Sequence, residues 1–289
     1  MIKKIYQILP FKRSFFSLLK TVYKPNPNLY KHLHFKGIFK VKIDAQHHFK
    51  IKHFGNIIEN ELFWEGINDG WEKVSFNLWI KLCRNANCII DVGANTGVYA
   101  LIAKSLNENS KVYAFEPVER VFKKLVYNNQ INNYDIKCFE LALSNKNGEA
   151  IIYDIPNTDH IYSVTVNKNM FTPGTPVVEK TIKTITLDSF INKEKTKNID
   201  LIKIDVETHE PEVIEGYINN IKQHQPTILI EILNDEVGKK IETLIKDIPY
   251  LYFNIDENSG VKRVNHILKS DYYNYLLCTE EVAKNLSLI

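Results

Sequence analysis

Apolar positions recur along this chain in two periods, and the two alternate. From Leu33 to Phe54 the spacing is that of strands (Phe35, Ile38, Val41, Ile43, then Phe49 and Ile51), which predicts a small β-hairpin turned near Ala45-Gln46. Upstream, Phe11, Phe15, Leu18, Leu19 and Val22 fall at i, i+4, i+7, i+8 and i+11 with lysines between them, so residues 1–24 read as an amphipathic helix closed by Pro25-Asn26-Pro27-Asn28. Glu61 to Ala86 reads as a loop turning at Asn68-Asp69-Gly70, then a helix from about Trp71.

Beyond that point strands and helices take turns. Cys88-Ile89-Ile90 and Val92 make a short apolar, mostly β-branched run that suits one buried strand; Gly93-Ala94-Asn95-Thr96-Gly97 breaks it, and Val98, Leu101 and Ile102 resume at helical spacing. The pattern continues with strand 111–115, helix 118–130 and strand 136–140, then strand 200–206, helix 211–221, strand 227–232 and helix 236–246. Strands at 250–255 and 273–279 close the series. Between them, 143–186 reads as an inserted hairpin with a loop, its strands at 150–153 and 177–185. Repeated β-α units build a mostly parallel sheet with helices on both faces. The expected class is therefore α/β and Rossmann-like, with an N-terminal extension over 1–60 and the main domain over 61–289.

Composition narrows this little. The chain has 289 residues, 44% hydrophobic and 25% charged, ordinary values for a globular protein. No apolar run approaches the roughly 18 residues a spanning helix requires, and Pro10, Lys12 and Arg13 interrupt what otherwise imitates a signal peptide, so a cytoplasmic protein is expected. Cys83, Cys88, Cys138 and Cys278 form no C-x-x-C pair and sit among apolar residues, as buried free thiols do.

Charge changes the picture more. Residues 1–43 hold ten basic side chains and no acid before Asp44; with a net charge of +3 overall, residues 44–289 sum to −7. A basic amphipathic arm of this kind docks on its own body, on a partner protein, or peripherally on an anionic inner membrane face. Arginine is scarce in it and no nucleic-acid-binding motif is present, so nucleic acid is not an expected partner.

The glycine turn is the candidate ligand site, because ligands of open α/β sheets sit where strands end and helices begin. A dinucleotide fingerprint aligned on Gly93 requires glycines where Asn95 and Val98 stand, and no lysine followed by Ser or Thr completes a phosphate loop. The turn suits a ligand whose near end is an amino acid: Asp91 for its ammonium, the amides of Gly93, Ala94, Asn95 and Thr96 for its carboxylate. Glu116, ending the next strand, is placed to take both hydroxyls of a ribose. Pro117 offers an apolar shelf to an adenine, and Ala142 at the third strand's end its other wall.

Read in order, D-V-G-A-N-T-G (91–97), A-F-E-P (114–117), A-L-S (142–144), T-L-D (186–188) and K-I-D-V-E-T-H-E-P-E-V-I-E-G (203–216) resemble the FkbM-type S-adenosylmethionine-dependent methyltransferases. The resemblance runs from about Trp71 to Ile232. It implies a class I methyltransferase fold with a seven-stranded sheet whose last strand is antiparallel, S-adenosyl-L-methionine held by Asp91, Gly93, Ala94, Asn95, Gly97, Glu116, Pro117 and Ala142, and O-methylation, commonly of a small molecule or sugar. A common family form carries glycine after the acid of D-V-E-G, where this chain has Thr208-His209.

A hydroxyl acceptor must lose its proton to a general base or to a metal that acidifies it. The stretch 203–210 supplies candidates. Lys203 and Asp205 share one strand face, Ile204 and Val206 the other; Lys203 needs a carboxylate partner, Asp205 or Asp188. Asp205 or Glu207 is expected to face the acceptor, with Lys203 holding or tuning it, and His209 is a third candidate base. Asp205, Glu207 and Glu231, with Glu210, form the alternative set for a divalent metal, which is not favoured. Thr186 is expected to cap a helix over 187–191, and Tyr162, Ser163 and Asn167 of the insertion to cover the acceptor. The other classes carried are a nicotinamide-dependent oxidoreductase and a cofactor-binding protein without turnover.

Overall fold

The computed structural model describes residues 11–154 and 177–289. The N-terminal helix Lys12–Val22 is followed by the hairpin β1 (Gly37–Lys42) and β2 (His48–His53), paired antiparallel with the turn where Ala45 and Gln46 lie. Phe49 and Ile51 of β2 are fully buried. Its outer edge is met by asparagines of the helix Glu119–Asn132: Asn132 Oδ1 accepts from Lys50 N at 2.6 Å, Asn132 Nδ2 donates to Lys50 O at 2.7 Å, and Asn128 Oδ1 accepts from Lys52 N at 3.0 Å. Side-chain amides thus take the place of a third strand and protect the edge.

The central sheet comprises β3 (Cys88–Val92), β4 (Lys111–Phe115), β5 (Lys137–Phe139), β9 (Leu201–Ile204), β10 (Thr227–Glu231), β11 (Leu251–Asp256), β12 (Gly260–Val264) and β13 (Asn274–Cys278), in the order β12-β11-β13-β10-β9-β3-β4-β5. The five strands from β5 to β10 are parallel, and β13 enters antiparallel between β10 and β11. This is the class I methyltransferase arrangement, with one correction to the sequence reading: the sheet has eight strands, because β12 folds back on β11. The reversal runs through Asp256-Glu257-Asn258-Ser259-Gly260, a cluster of turn residues.

Residues alternate across the sheet between two cores. Ile89, Ala114, Leu201, Leu229 and Phe253 face the side covered by the N-terminal hairpin and the helices Lys73–Cys83, Val98–Leu106 and Glu119–Asn132. Ile90, Val92, Phe115, Ile202, Ile204 and Ile230 face the helices Leu187–Glu194, Glu210–Glu215, Ile218–His224 and Asp235–Ile245. Both sides of each central strand are buried, which is why these strands read as continuous apolar runs.

The insertion forms its own small sheet: β6 (Ala142–Leu143) pairs parallel with β8 (Val178–Ile185), and β7 (Gly148–Asp154) antiparallel with β8. Tyr162, Ser163 and Asn167 lie outside the described residues. Two further differences have local causes. The expected helix 211–221 is two, Glu210–Glu215 and Ile218–His224, broken at Gly216-Tyr217, where a Cβ on Gly216 would lie 3.0 Å from the carbonyl carbon of Ser144. The stretch read as a loop from Glu61 instead belongs partly to a helix, Ile57–Trp64, started by Asn56 N donating to Glu59 Oε2 at 3.1 Å and Asn56 Nδ2 donating to Glu59 Oε1 at 3.1 Å.

Candidate active site

Strand order reverses between β3 and β9, and the crevice outside their carboxyl ends is where an open α/β sheet receives ligands. A cavity of about 390 Å3 opens there. Asp91, Gly93, Ala94, Asn95, Glu116, Pro117 and Ala142 line it, and so do Lys203, Asp205, Glu207, His209 and Glu231. Residues as far apart in the chain as Asn56 and Glu231 therefore share one chamber.

On the glycine-turn side, Gly93 has φ 76°, and Gly93 N and Ala94 N both donate to Phe115 O, at 3.0 and 2.9 Å. The turn is thereby fastened to the strand that presents Glu116. Glu116 Oε2 accepts from Asn95 N at 3.1 Å and Oε1 from Val118 N at 2.9 Å, so both oxygens are fixed in place and each retains a lone pair. Asp91 Oδ2 accepts from Ala100 N at 3.0 Å. Burial raises both carboxyls, each to about 7. Gly97 is the exception among the expected cofactor residues. It does not line the cavity; at φ 94° it begins the helix Val98–Leu106, and a Cβ there would stand 2.6 Å from Leu125 Cδ1.

The turn also suits a polar ligand. Asn95 Oδ1 and Thr96 Oγ1 are buried and have no hydrogen-bond partner among the described residues, an uncommon and costly state. Leu141, Leu143, Ile152 and Ile182 add an apolar wall beside Pro117, as an adenine requires. The residues present fit S-adenosylmethionine: polar at one end of the turn, a paired acid in the middle, apolar beyond.

The opposite wall is ionic. Lys203 is 1% exposed and donates to Asp205 Oδ2 at 3.2 Å and to Asn274 Oδ1 at 3.4 Å. Asn274 in turn donates to Glu72 Oε1 at 2.8 Å, and Tyr99 OH donates to Glu72 Oε2 at 3.0 Å. Burial opposes the lysine's charge, yet Asp205, Glu72 and Glu231 around it outweigh burial and hold it above the ordinary lysine range. The alternative partner is excluded: Asp188 accepts from Asn219 N and Nδ2 at 3.0 and 2.7 Å and from Asn220 Nδ2 at 2.6 Å, so it braces helices. Thr186 caps its helix as expected, accepting from Ser189 N at 3.1 Å.

Glu207 and Thr208 follow β9 with φ of 54° and 78°. Two consecutive non-glycine residues in the left-handed region are strained, the β-branched threonine most of all. Thr208 stands where the resemblance expects glycine, and the backbone has kept the glycine conformation. Burial, reinforced by Asp205, raises Glu207 to about 7. Burial likewise raises Glu231 to about 9 and Glu210 to about 8; Glu210 Oε1 accepts from Val206 N at 3.1 Å and shapes the loop from behind. His209 Nε2 pairs with Ser144 Oγ at 3.0 Å and Nδ1 lies 3.4 Å from Glu212 Oε2, while burial lowers its pKa.

The alternative metal set is not assembled. Among the described residues no three His, Cys, Asp or Glu side chains stand close enough to hold a metal ion, because Asp205 is drawn to Lys203 and Glu210 to the loop backbone. Sequence reasoning missed Glu72, Asn274 and Tyr99, and also Asn56, Ile57 and Ile58, which line the cavity. The Asn56-x-x-Glu59 spacing could have located the last three; nothing in the sequence around Glu72 or Asn274 marks them as neighbours of Lys203.

A class I sheet with its cavity at the β3/β9 switch point and these motifs around it defines a methyltransferase. The chain belongs to the methyltransferase FkbM domain family, whose model matches residues 91–253, and the nicotinamide reading is set aside. It is 28% identical over 177 residues to the hexuronic acid methyltransferase AglP of Haloferax volcanii, covering 61% of this chain and 68% of that protein. Among solved structures it is similar to the methyltransferase FkbM of Methylobacillus flagellatus KT (13% identity, TM-score 0.42), covering 67% of this chain and 43% of that one, so it spans less than half that chain's length. It is also similar to an O-methyltransferase of Bacillus cereus in complex with SAH (15% identity, TM-score 0.40), covering 70% of this chain and 77% of that one.

Proposed function

We propose that this methyltransferase uses S-adenosyl-L-methionine to methylate a hydroxyl of a sugar or glycan precursor. The observation that carries the reading is the single cavity joining the glycine turn and Glu116 to the Lys203–Asp205–Glu207 stretch. The sugar assignment is supported by the relative named for a hexuronic acid and by the carboxylate-rich acceptor wall, which suits a polyhydroxyl ligand. Residues 61–289 form the methyltransferase domain in this reading, and 1–60 an extension that contributes Asn56, Ile57 and Ile58 to the cavity wall.

When bound, S-adenosylmethionine supplies a methyl group on a sulfonium, open to in-line attack. Gly93, Ala94 and Asn95 give their amides to Phe115 O and Glu116 and not to a ligand, so Asp91 with the side chains of Asn95 and Thr96 would hold its amino-acid end, Glu116 its ribose, and Pro117 with Ala142 its adenine. The chain's remaining task is to align the acceptor oxygen and take its proton. Lys203 fixes Asp205 as a hydrogen-bond acceptor for the sugar. Glu207 is the general base, since a carboxyl raised to about 7 has the basicity that proton removal near neutrality requires. His209 orients the loop instead, both its ring nitrogens being engaged by Ser144 and Glu212.

The test is incubation with methyl-labelled S-adenosylmethionine and a panel of sugars, uronic acids and nucleotide sugars, followed by mass spectrometry. Label on a sugar oxygen is the expected result. Label on nitrogen or carbon acceptors alone overturns the O-methyl assignment, and tight S-adenosylhomocysteine binding with no transfer to any hydroxyl acceptor favours the non-catalytic reading.

A further inference from the structure

The helix Lys12–Val22 is held to the body by one side only. Phe16 is 3% exposed and packs on Trp64 and Phe35, with ring centroids 5.6 and 6.4 Å away, and Lys20 donates to the carbonyl of Phe63. Away from that side run Phe11 (81% exposed), Phe15 (62%), Leu18 (68%) and Val22 (79%). At 3.6 residues per turn Phe15, Leu18 and Val22 lie within about 60° of one another, roughly 130° round the helix from Phe16, and Phe11 precedes the helix at its N-cap. A soluble surface seldom leaves such a stripe uncovered.

We propose that this stripe is an in-plane anchor for an anionic lipid bilayer. Charge decides the occupant. The stripe belongs to a segment, residues 1–43, with ten basic side chains and no acid. An amphipathic helix with aromatic and leucine residues on one side inserts its apolar stripe at the headgroup boundary; Lys20 is engaged by the carbonyl of Phe63 and Lys24 by Glu65 and Asp69, so attraction to anionic headgroups falls to the other eight bases of the segment. Pairing with a second copy would set two such basic segments against each other, which like charges oppose. Lysine is also depleted at protein interfaces, and this segment holds nine. Rigid attachment through Phe16 lets the anchor carry the whole protein: the helix Ile57–Trp64, about 12 Å long, holds Trp64 against Phe16 at one end and cavity-lining Ile57 and Ile58 at the other.

Co-sedimentation of the full chain with phosphatidylcholine vesicles, with and without phosphatidylglycerol, tests this. Binding is expected only to the anionic vesicles, and to weaken with added salt. The double variant Phe15→Glu/Leu18→Glu should reduce that binding by at least about tenfold, since two apolar groups leave the bilayer. Both positions are exposed, so an unchanged melting temperature checks that the variant is folded. Absence of binding to anionic vesicles, or equal binding by the double variant, overturns the proposal. So does a wild-type dimer in analytical ultracentrifugation that the double variant dissociates, since the stripe would then be a protein interface.

Discussion

The carbonyl of Asp205 occupies the space that a side chain on Gly93 would need: a Cβ built there would overlap the carbonyl oxygen and stand 2.9 Å from the carbonyl carbon. Asp205 N donates to Val92 O at 3.1 Å on the same line. The turn assigned to the cofactor and the strand end assigned to the acceptor are thus in direct backbone contact, as methyl transfer between the two ligands requires. Alanine at 93 would need a left-handed conformation costing about 1–2 kcal/mol, and would push β9 away as well. Gly93→Ala should therefore lower the urea midpoint and abolish S-adenosylhomocysteine binding measured by calorimetry.

Thr208 presents the opposite case. Its φ of 78° is strained for a β-branched residue, with open relief available through glycine. Thr208→Gly should stabilise the protein by about 1 kcal/mol in denaturant unfolding.

Lys203 neutralises a buried wall of acids. Lys203→Met would leave Asp205, Glu72 and Glu231 facing one another without their cation. Removing one partner of a buried pair costs about 3–5 kcal/mol, partly relieved by protonation of the acids. The expected result is a large drop in stability that shrinks as pH is lowered.

The proton acceptor has a pH signature. With Glu207 raised to about 7, the methyl-transfer rate should climb as pH passes that value and level off above it. Glu207→Gln should reduce kcat by about 100-fold or more with little change in S-adenosylhomocysteine affinity. If the variant keeps both the rate and the rise near 7, the base is another group.

Stability should follow pH in the reverse sense. Burial raises Asp91, Glu59 and Glu116 to about 7 from ordinary values of 3.8 and 4.5. Groups raised on folding stabilise fully only below their unfolded pKa, and that contribution is lost as pH rises through the folded value. His53, lowered by burial from 6.5 to about 4, acts oppositely, its contribution lost as pH falls through that range. The acids outnumber it, so the ligand-free protein should melt several degrees higher at about pH 5.5 than at about pH 8 by calorimetry.

The sequence by itself determined the alternation of elements, because burial on one or both faces imposes periods of 3.6 or 2 that are written in the order of residues. β3, β4 and the inserted hairpin fell where their apolar runs lie, and the glycine turn, Glu116 and the 203–210 stretch were legible as candidate site residues because each is a local motif at a strand's end. What only the tertiary structure decided was adjacency. Glu72 reaches Lys203 through Asn274, partners 71 to 202 residues apart, and no local pattern encodes a contact made by packing. The same holds for Asp188, the alternative partner for Lys203, which Asn219 and Asn220 of the helix Ile218–His224 engage instead. Thr208 lay between the two: its departure from glycine was visible in the sequence, but only the backbone reveals that the left-handed turn persisted and that the strain of a β-branched residue came with it.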